Sequence, residues 1–113
     1  MGESLDVVYK GLANLKNGFK PIPGKLYVTK EYLIHKPNDY FADDVMISFE
    51  DVARIEGMMT KILGRDMLAN LLEVETKKGE RIQFVINKQK KWLVALEQVL
   101  IERGEAEKLV YNK

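Results

Sequence analysis

Residues 72–92 read LEVETKKGERIQFVINKQKKW, and this stretch decides the fold class. Polar and apolar residues alternate in residues 72–76 and again in residues 81–86, which predicts two strands that each turn one face toward a core. Between them, residues 77–80 read KKGE and predict a hairpin turn in which Gly79 can adopt a positive φ. This part of the chain is therefore predicted to be a β-hairpin.

After the hairpin, the period at which apolar residues recur changes from 2 to 3.6 residues, which predicts one amphipathic helix over residues 88–103. Asn87 is suited to be its N-cap, and Gly104 supplies a stop. Trp92 and Leu96 lie on the apolar stripe of this helix, and we expect Trp92 to fill the end of a sheet sandwich. The predicted core includes Ile47, Phe49, Phe84, Trp92 and Leu96.

The preceding chain also has the pattern of short strands. Residues 25–29 and 32–36 read as a hairpin, and residues 45–49 and 52–56 continue with inward apolar positions. Residues 4–16 fit either a short amphipathic helix or a strand. Glycines and prolines mark a loop before Gly24, and the charged residues from Glu105 onward predict a frayed C-terminus.

Eight short segments within residues 12–100 carry a family resemblance. They are Ala13–Leu15, Gly24–Thr29, Leu33–Ile34, Ile47–Val52, Leu72–Thr76, Lys78–Gly79, Phe84–Asn87 and Lys91–Trp92. Their order and spacing resemble those of the GRAM family, whose fold is pleckstrin-homology-like (PH-like). The resemblance implies no enzymatic activity. It also implies the family's associations with membrane surfaces, phosphoinositides and protein partners.

We therefore predict a mainly β (α+β) fold, a PH-like β-sandwich or partly open barrel of about seven antiparallel strands closed by a C-terminal α-helix. The whole chain, residues 1–113, is read as a single domain. Its core extends over about residues 12–103, and residues 1–11 and 104–113 are predicted to be peripheral.

The composition of the chain limits the kinds of function. With 18 basic and 17 acidic residues, the formal charge is +1, which argues against a general nucleic-acid binder. The absence of cysteine removes disulfides and thiolate metal sites. No apolar run approaches roughly 20 residues, and the early acids Glu3 and Asp6 lead us to expect no secretion signal. We therefore expect a cytoplasmic protein, with peripheral attachment to a membrane as the alternative.

The sequence offers no recognisable catalytic set. His35 is the only histidine and lies in an apolar strand, so it is read as a strand histidine with a local hydrogen bond. Asp43-Asp44 and Glu50-Asp51 are neighbouring acids, which point to opposite faces of a strand and suit turns and caps better than a shared site. The chain is therefore predicted to be no enzyme, and no metal or cofactor is predicted.

A group of basic residues is the first candidate binding feature. Six cations between residues 77 and 91 stand against the single acid Glu80, which is a local charge of +5 that could attract an anion or a lipid headgroup. They could equally be solvated side chains at two different ends of the sandwich. The six are Lys77, Lys78, Arg81, Lys88, Lys90 and Lys91.

An apolar segment, residues 57–70, is the second candidate, since it shows no clean strand or helix period. It could complete the core, form the seam of a homodimer or contact another protein, or dip into a bilayer. The named candidates are Met58, Met59, Lys61, Ile62, Leu63, Arg65, Met67 and Leu68.

The sequence thus favours a non-catalytic binding module for a protein partner or for a second copy of itself. The alternative is a peripheral membrane module that binds anionic lipid headgroups through the basic group and the apolar segment.

Overall fold

The computed structural model describes residues 6–17, 20–62 and 65–110. Within them, eight strands and one α-helix follow each other, with short 3-10 helices at Phe49–Asp51 and Ala106–Lys108. The elements are β1 (Val7–Asn17), β2 (Lys20–Thr29), β3 (Tyr32–Pro37), β4 (Val45–Ser48), β5 (Val52–Ile62), β6 (Arg65–Thr76), β7 (Arg81–Ile86), α1 (Gln89–Glu102) and β8 (Leu109–Val110).

The strands form one continuous sheet in the order β4-β3-β2-β1-β7-β6-β5-β8. Each pairing is antiparallel except that of β5 with β8. β1 joins the two halves, because it pairs with β2 on one side and with β7 on the other. The predicted mainly β architecture with a C-terminal helix is confirmed, and the ambiguous N-terminal segment is a strand from Val7.

β2 begins earlier than the sequence indicated, because Pro21, Pro23 and Gly24 lie inside it. Proline cannot donate to a sheet ladder and is confined to strand edges. β3 pairs with β2 only from Gly24 onward, so β2 is an edge strand over the two prolines and needs no donor there. The glycines and prolines that predicted a loop are therefore compatible with this strand.

The core lies between the folded sheet and α1. Ile47, Phe49, Phe84 and Leu96 are all buried in it, and Trp92 is only 1% exposed. The Trp92 ring packs edge-on against Tyr9 with its centroid 4.6 Å away. A Cβ at Gly11 would come within 2.9 Å of the same ring, so β1 passes close to the indole where it has no side chain.

The helix start differs from the prediction. Lys88, not Asn87, is the N-cap, and no side chain caps the helix. Lys88 has a φ of 56°, a left-handed conformation that redirects the chain from β7 into α1. Asn87 is one residue too early to reach the free amides. Gln89 instead holds the first turn in place, since its Nε2 donates to the carbonyls of Met58 and Leu71 at 2.8 and 2.7 Å.

Residues 105–110 are packed against the sheet, contrary to the frayed end that the charges from Glu105 onward suggested, and residues 111–113 lie outside the described residues. Leu109 is buried in the core and pairs with Ile55 of β5. The Lys108 ammonium is held inside, donating to the Phe49 carbonyl and to Glu105 Oε2, both at 2.9 Å. Arg103 Nε donates to Glu105 Oε1 at 2.8 Å. The charges of this segment therefore hold it against the sheet.

This network makes the stability of the fold depend on pH. The hydrogen bonds from Arg103 and Lys108 lower the pKa of Glu105 below its ordinary value of 4.5. The stabilisation is complete above the unfolded-state pKa and is lost as the pH falls through the lower folded-state pKa. Denaturant unfolding between pH 7 and pH 3 should therefore show a shallower loss of stability in Glu105→Gln than in the wild type. Equal slopes would contradict the assignment.

Within the apolar segment 57–70, residues 57–62 belong to β5 and residues 65–70 belong to β6. The register of β5 against β6 shifts between Met58 and Thr60 and again before Lys61, and such bulges remove the regular alternation. Met58 is half-buried and Met59 is 40% exposed. The side chains of the other six candidates lie outside the described residues: Lys61, Ile62, Leu63, Arg65, Met67 and Leu68.

Candidate functional site

His35 is a core residue and faces no solvent. It is completely buried, and its Nε2 donates to the Ala13 carbonyl at 3.0 Å, across the sheet rather than to a local partner. The Phe84 ring lies beside it, with centroids 5.7 Å apart. In the described part of the chain no three acidic or histidine side chains gather in a way that could hold a metal ion.

The six basic candidates divide between the two ends of β7. Lys77, Lys78 and Arg81 lie at its N-terminal end, whereas Lys88, Lys90 and Lys91 lie beyond its C-terminal end. β7 has six residues, which is about 20 Å of strand. The six therefore form two separate groups, the outcome that the sequence left open.

The end of the sandwich away from α1 is called here the open end. It gathers the end of β1 at Lys16, the β3–β4 loop and the β6–β7 turn, since Lys16 pairs with Gln83 and the Asn38 amide donates to the Pro23 carbonyl at 2.9 Å. Two adjoining depressions of about 340 and 250 Å³ occur there and share Val45 and Ile82; we call them together the turn cleft. Its lining residues are Leu15, Lys16, Val45, Met46, Ile47, Asp51, Thr76, Lys77, Lys78, Glu80, Arg81 and Ile82.

The β6–β7 turn is fixed by hydrogen bonds. The Glu80 amide donates to Thr76 Oγ1 at 3.1 Å, and the Gly79 amide donates to the Thr76 carbonyl at 2.9 Å. Gly79 has a φ of +92°, as the sequence predicted. The Lys77 amide donates to the Asp51 carbonyl at 2.8 Å, which ties the turn to the chain that leads into β5. The two lysines therefore project from a defined backbone.

The turn cleft has an excess of positive charge. Lys16, Lys77, Lys78 and Arg81 line it together with two acids, Asp51 and Glu80, for a net charge of +2. Among the described residues, no carboxylate lies within 4.0 Å of any of the four cations. Their charges therefore remain available to an anion that enters the cleft.

Arg54 is a basic residue whose charge is already paired with carboxylates of the same sheet, in contrast to the cations of the turn cleft. On the outer face of β5 its guanidinium lies 3.3 to 3.7 Å from carboxylate oxygens of Glu56, Glu73 and Glu75. Gln83 also donates to Glu73, at 2.9 Å. This cluster is satisfied internally, whereas the cations of the turn cleft are not.

The β3–β4 loop, residues 38–44, stands beside the turn cleft and is called here the aromatic loop. Tyr40 and Phe41 are 91% and 89% exposed, and their rings pack edge-to-face with centroids 5.3 Å apart. Asp39 holds their turn, because its Oδ1 accepts from the Phe41 amide at 2.9 Å and its carbonyl accepts from the Ala42 amide at 3.1 Å. Neither this pair nor Lys16 is among the site residues predicted from the sequence.

Comparisons with known proteins give the class of fold. No family model matches the chain, and no curated protein matches it. Among solved structures, it is similar to the C-terminal domain of an unknown protein from Leishmania infantum, with a TM-score of 0.72 and 17% identity over 86% of this chain and 85% of that one.

Two structures of the Slm1-PH domain are also similar. The complex with phosphoserine has a TM-score of 0.57 and 12% identity over 82% of this chain and 91% of that one. The complex with D-myo-inositol-4-phosphate has a TM-score of 0.59 and 10% identity over 87% and 96%. The chain therefore has a PH-like fold, as the sequence predicted. No helix in the described ranges is long and apolar enough to cross a membrane.

Proposed function

We propose that this chain is a non-catalytic peripheral module whose turn cleft binds a phosphate-bearing anionic headgroup. The observation that carries the proposal is that four cations without carboxylate partners among the described residues line the two adjoining depressions of the turn cleft: Lys77 and Lys78 line one, and Lys16 and Arg81 line the other. Lysine and arginine are suited to phosphate as charged donors. Within the PH-like class, we also propose that the chain is a GRAM member, supported by the eight segments that resemble that family.

The Slm1-PH structures add support of a different kind, since their ligands are phosphoserine and an inositol phosphate. Both ligands carry a phosphate on a small polar scaffold. The chemistry that we assign to the turn cleft is the same, a phosphate monoester presented either by a lipid headgroup or by a free small molecule.

The expected affinity for a membrane is modest. Each basic residue near an anionic surface contributes about 1 kcal/mol. If three of the four cations engage at once, the gain is roughly 3 kcal/mol, or about a hundredfold enrichment. Binding should therefore weaken strongly between low and physiological salt, because exposed charges are screened.

The test is vesicle co-sedimentation, together with titration of soluble inositol phosphate by calorimetry. Vesicles of neutral phosphatidylcholine are compared with vesicles containing phosphatidylserine or a phosphoinositide. Lys77→Glu/Lys78→Glu should lower binding to anionic vesicles at least tenfold. Lys90→Glu/Lys91→Glu makes the same charge change at the other end of the molecule and should leave headgroup binding within about twofold, apart from general screening.

The arms of the experiment separate the sources of the phosphate. Binding to both vesicles and soluble inositol phosphate identifies a lipid headgroup, and binding to the soluble ligand alone identifies a small phosphate metabolite. No binding to either, or equal losses in the two charge-reversed variants, would overturn the turn cleft as the site.

A further inference from the structure

The geometry points to a second occupant of the turn cleft: we propose that two copies of this chain associate about a two-fold axis, with the aromatic loop of each copy entering the turn cleft of the other. This inference goes beyond headgroup binding, and its surface differs from the segment 57–70 that the sequence suggested for self-association.

The aromatic loop presents its rings to solvent in an ordered conformation. Tyr40 and Phe41 are almost fully exposed although the carboxylate and carbonyl of Asp39 fix their turn. Aromatic side chains can each bury 150–250 Å² and are enriched where interfaces gain most of their affinity. A hydrogen-bonded turn also lowers the entropy that the loop loses on docking. The rings are therefore suited to insertion into a pocket.

The loop and the cleft are complementary in charge. Asp39, Asp43 and Asp44 give the loop three carboxylates around its two rings, and among the described residues no cation lies within 4.0 Å of them. The turn cleft has a net charge of +2, and its lining includes the apolar residues Leu15, Val45 and Ile82. An acidic aromatic loop fits such a pocket.

The placement of the two features suits a closed dimer. The aromatic loop ends at Asp44, and the next residue, Val45, lines the turn cleft. Loop and cleft are thus neighbours on the open end, and hydrogen bonds fix the turn at residues 39–42 and the turn at residues 76–80. A two-fold axis that passes between them places each loop over the partner's cleft, producing two identical contacts. Since each contact is small, we expect a weak, reversible dimer with a Kd on the order of 10–100 µM.

The experiment is sedimentation velocity of the wild-type chain at about 1 µM to 1 mM. Tyr40→Ala/Phe41→Ala should weaken the dimer at least tenfold. Asp43→Lys/Asp44→Lys and Lys77→Asp/Lys78→Asp should each weaken it similarly. The decisive variant carries all four charge reversals in one chain, and it should restore the dimer to within about threefold of the wild type, because the complementary pairs are rebuilt with opposite sign. Thermal melting confirms that each variant is folded.

A chain that stays monomeric over the whole concentration range would overturn the inference. So would a dimer that the aromatic and charge variants leave unchanged, or a four-fold reversal that fails to restore it. If Tyr40→Ala/Phe41→Ala abolishes vesicle binding in a chain that never dimerises, the loop is a membrane contact and the inference is wrong.

The same variants distinguish a failure of the proposed headgroup binding from a failure of the proposed dimer. Tyr40→Ala/Phe41→Ala should still bind inositol phosphate. At high protein concentration it should bind this ligand more tightly than the wild type does, because the partner's loop no longer competes for the cations of the turn cleft. Loss of the dimer with retained phosphate binding in the loop variant supports both proposals. A dimer in a chain that binds no phosphate overturns only the proposed function.

Discussion

Trp92→Ala should destabilise the protein by about 3–5 kcal/mol. The indole is 1% exposed and packs edge-on against Tyr9, so its removal leaves a cavity where α1 meets β1. For a domain of this size, the corresponding fall in Tm is about 12–20 °C. The measurement is urea denaturation followed by circular dichroism, with thermal melting on the same samples.

Val94→Ala is the matched control on the same helix. Val94 is 62% exposed, and alanine has a higher helix propensity than valine, so the free energy of unfolding should change by less than about 0.5 kcal/mol. A loss of less than 1 kcal/mol in Trp92→Ala would show that the indole does not fill the end of the sandwich.

Gly24→Ala should destabilise the protein by about 3 kcal/mol, a large effect for one methyl group. A Cβ built on Gly24 would lie 2.3 Å from the Lys36 carbonyl oxygen and 2.8 Å from Pro37 Cα. Both atoms belong to the backbone of β3, so the clash cannot be relieved by a rotamer change. The two strands must separate at the place where β3 leaves β2 for the aromatic loop.

Gly79→Ala distinguishes the steric clash expected at Gly24 from the strain of placing a side chain at a positive φ. Gly79 has a φ of +92° and no atom within 4 Å of a built Cβ, so only the backbone preference opposes alanine there. That preference costs about 1–2 kcal/mol. Denaturant unfolding of the two variants should therefore rank Gly24→Ala below Gly79→Ala in stability. The reverse order would mean that β2 and β3 adapt to the methyl group.

The local signals in the sequence predicted the parts of the fold that depend on neighbours along the chain. The hairpin over residues 72–86, the positive φ of Gly79 and the burial of Trp92 all follow from strict alternation or from residue type. The helix cap at Asn87 was wrong because the cap depends on the direction in which β7 delivers the chain. The packing of residues 105–110 was missed because the partners of Lys108 and Leu109 lie in β5 and the 3-10 helix before it.

The candidate site was only partly predictable for the same reason. Lys77, Lys78 and Arg81 could be named from their clustering along the sequence. Lys16 joins them only through the pairing of β1 with β7, which the sequence does not display. Tyr40 and Phe41 carry no periodic signal, and their exposure depends on the turn that Asp39 fixes.

The pairing of β1 with β7 also constrains how the chain matures during synthesis. The strands β1 to β4 pair in order, so their hairpins can form as each strand becomes available. The other edge of β1 must wait for β7, about 70 residues later, which at ribosomal speeds is roughly 4–14 s. During that interval a row of unpaired amides and carbonyls on β1 can be captured by another nascent chain. Slower translation of residues 18–80 should therefore lengthen the time during which this edge of β1 can pair with another chain.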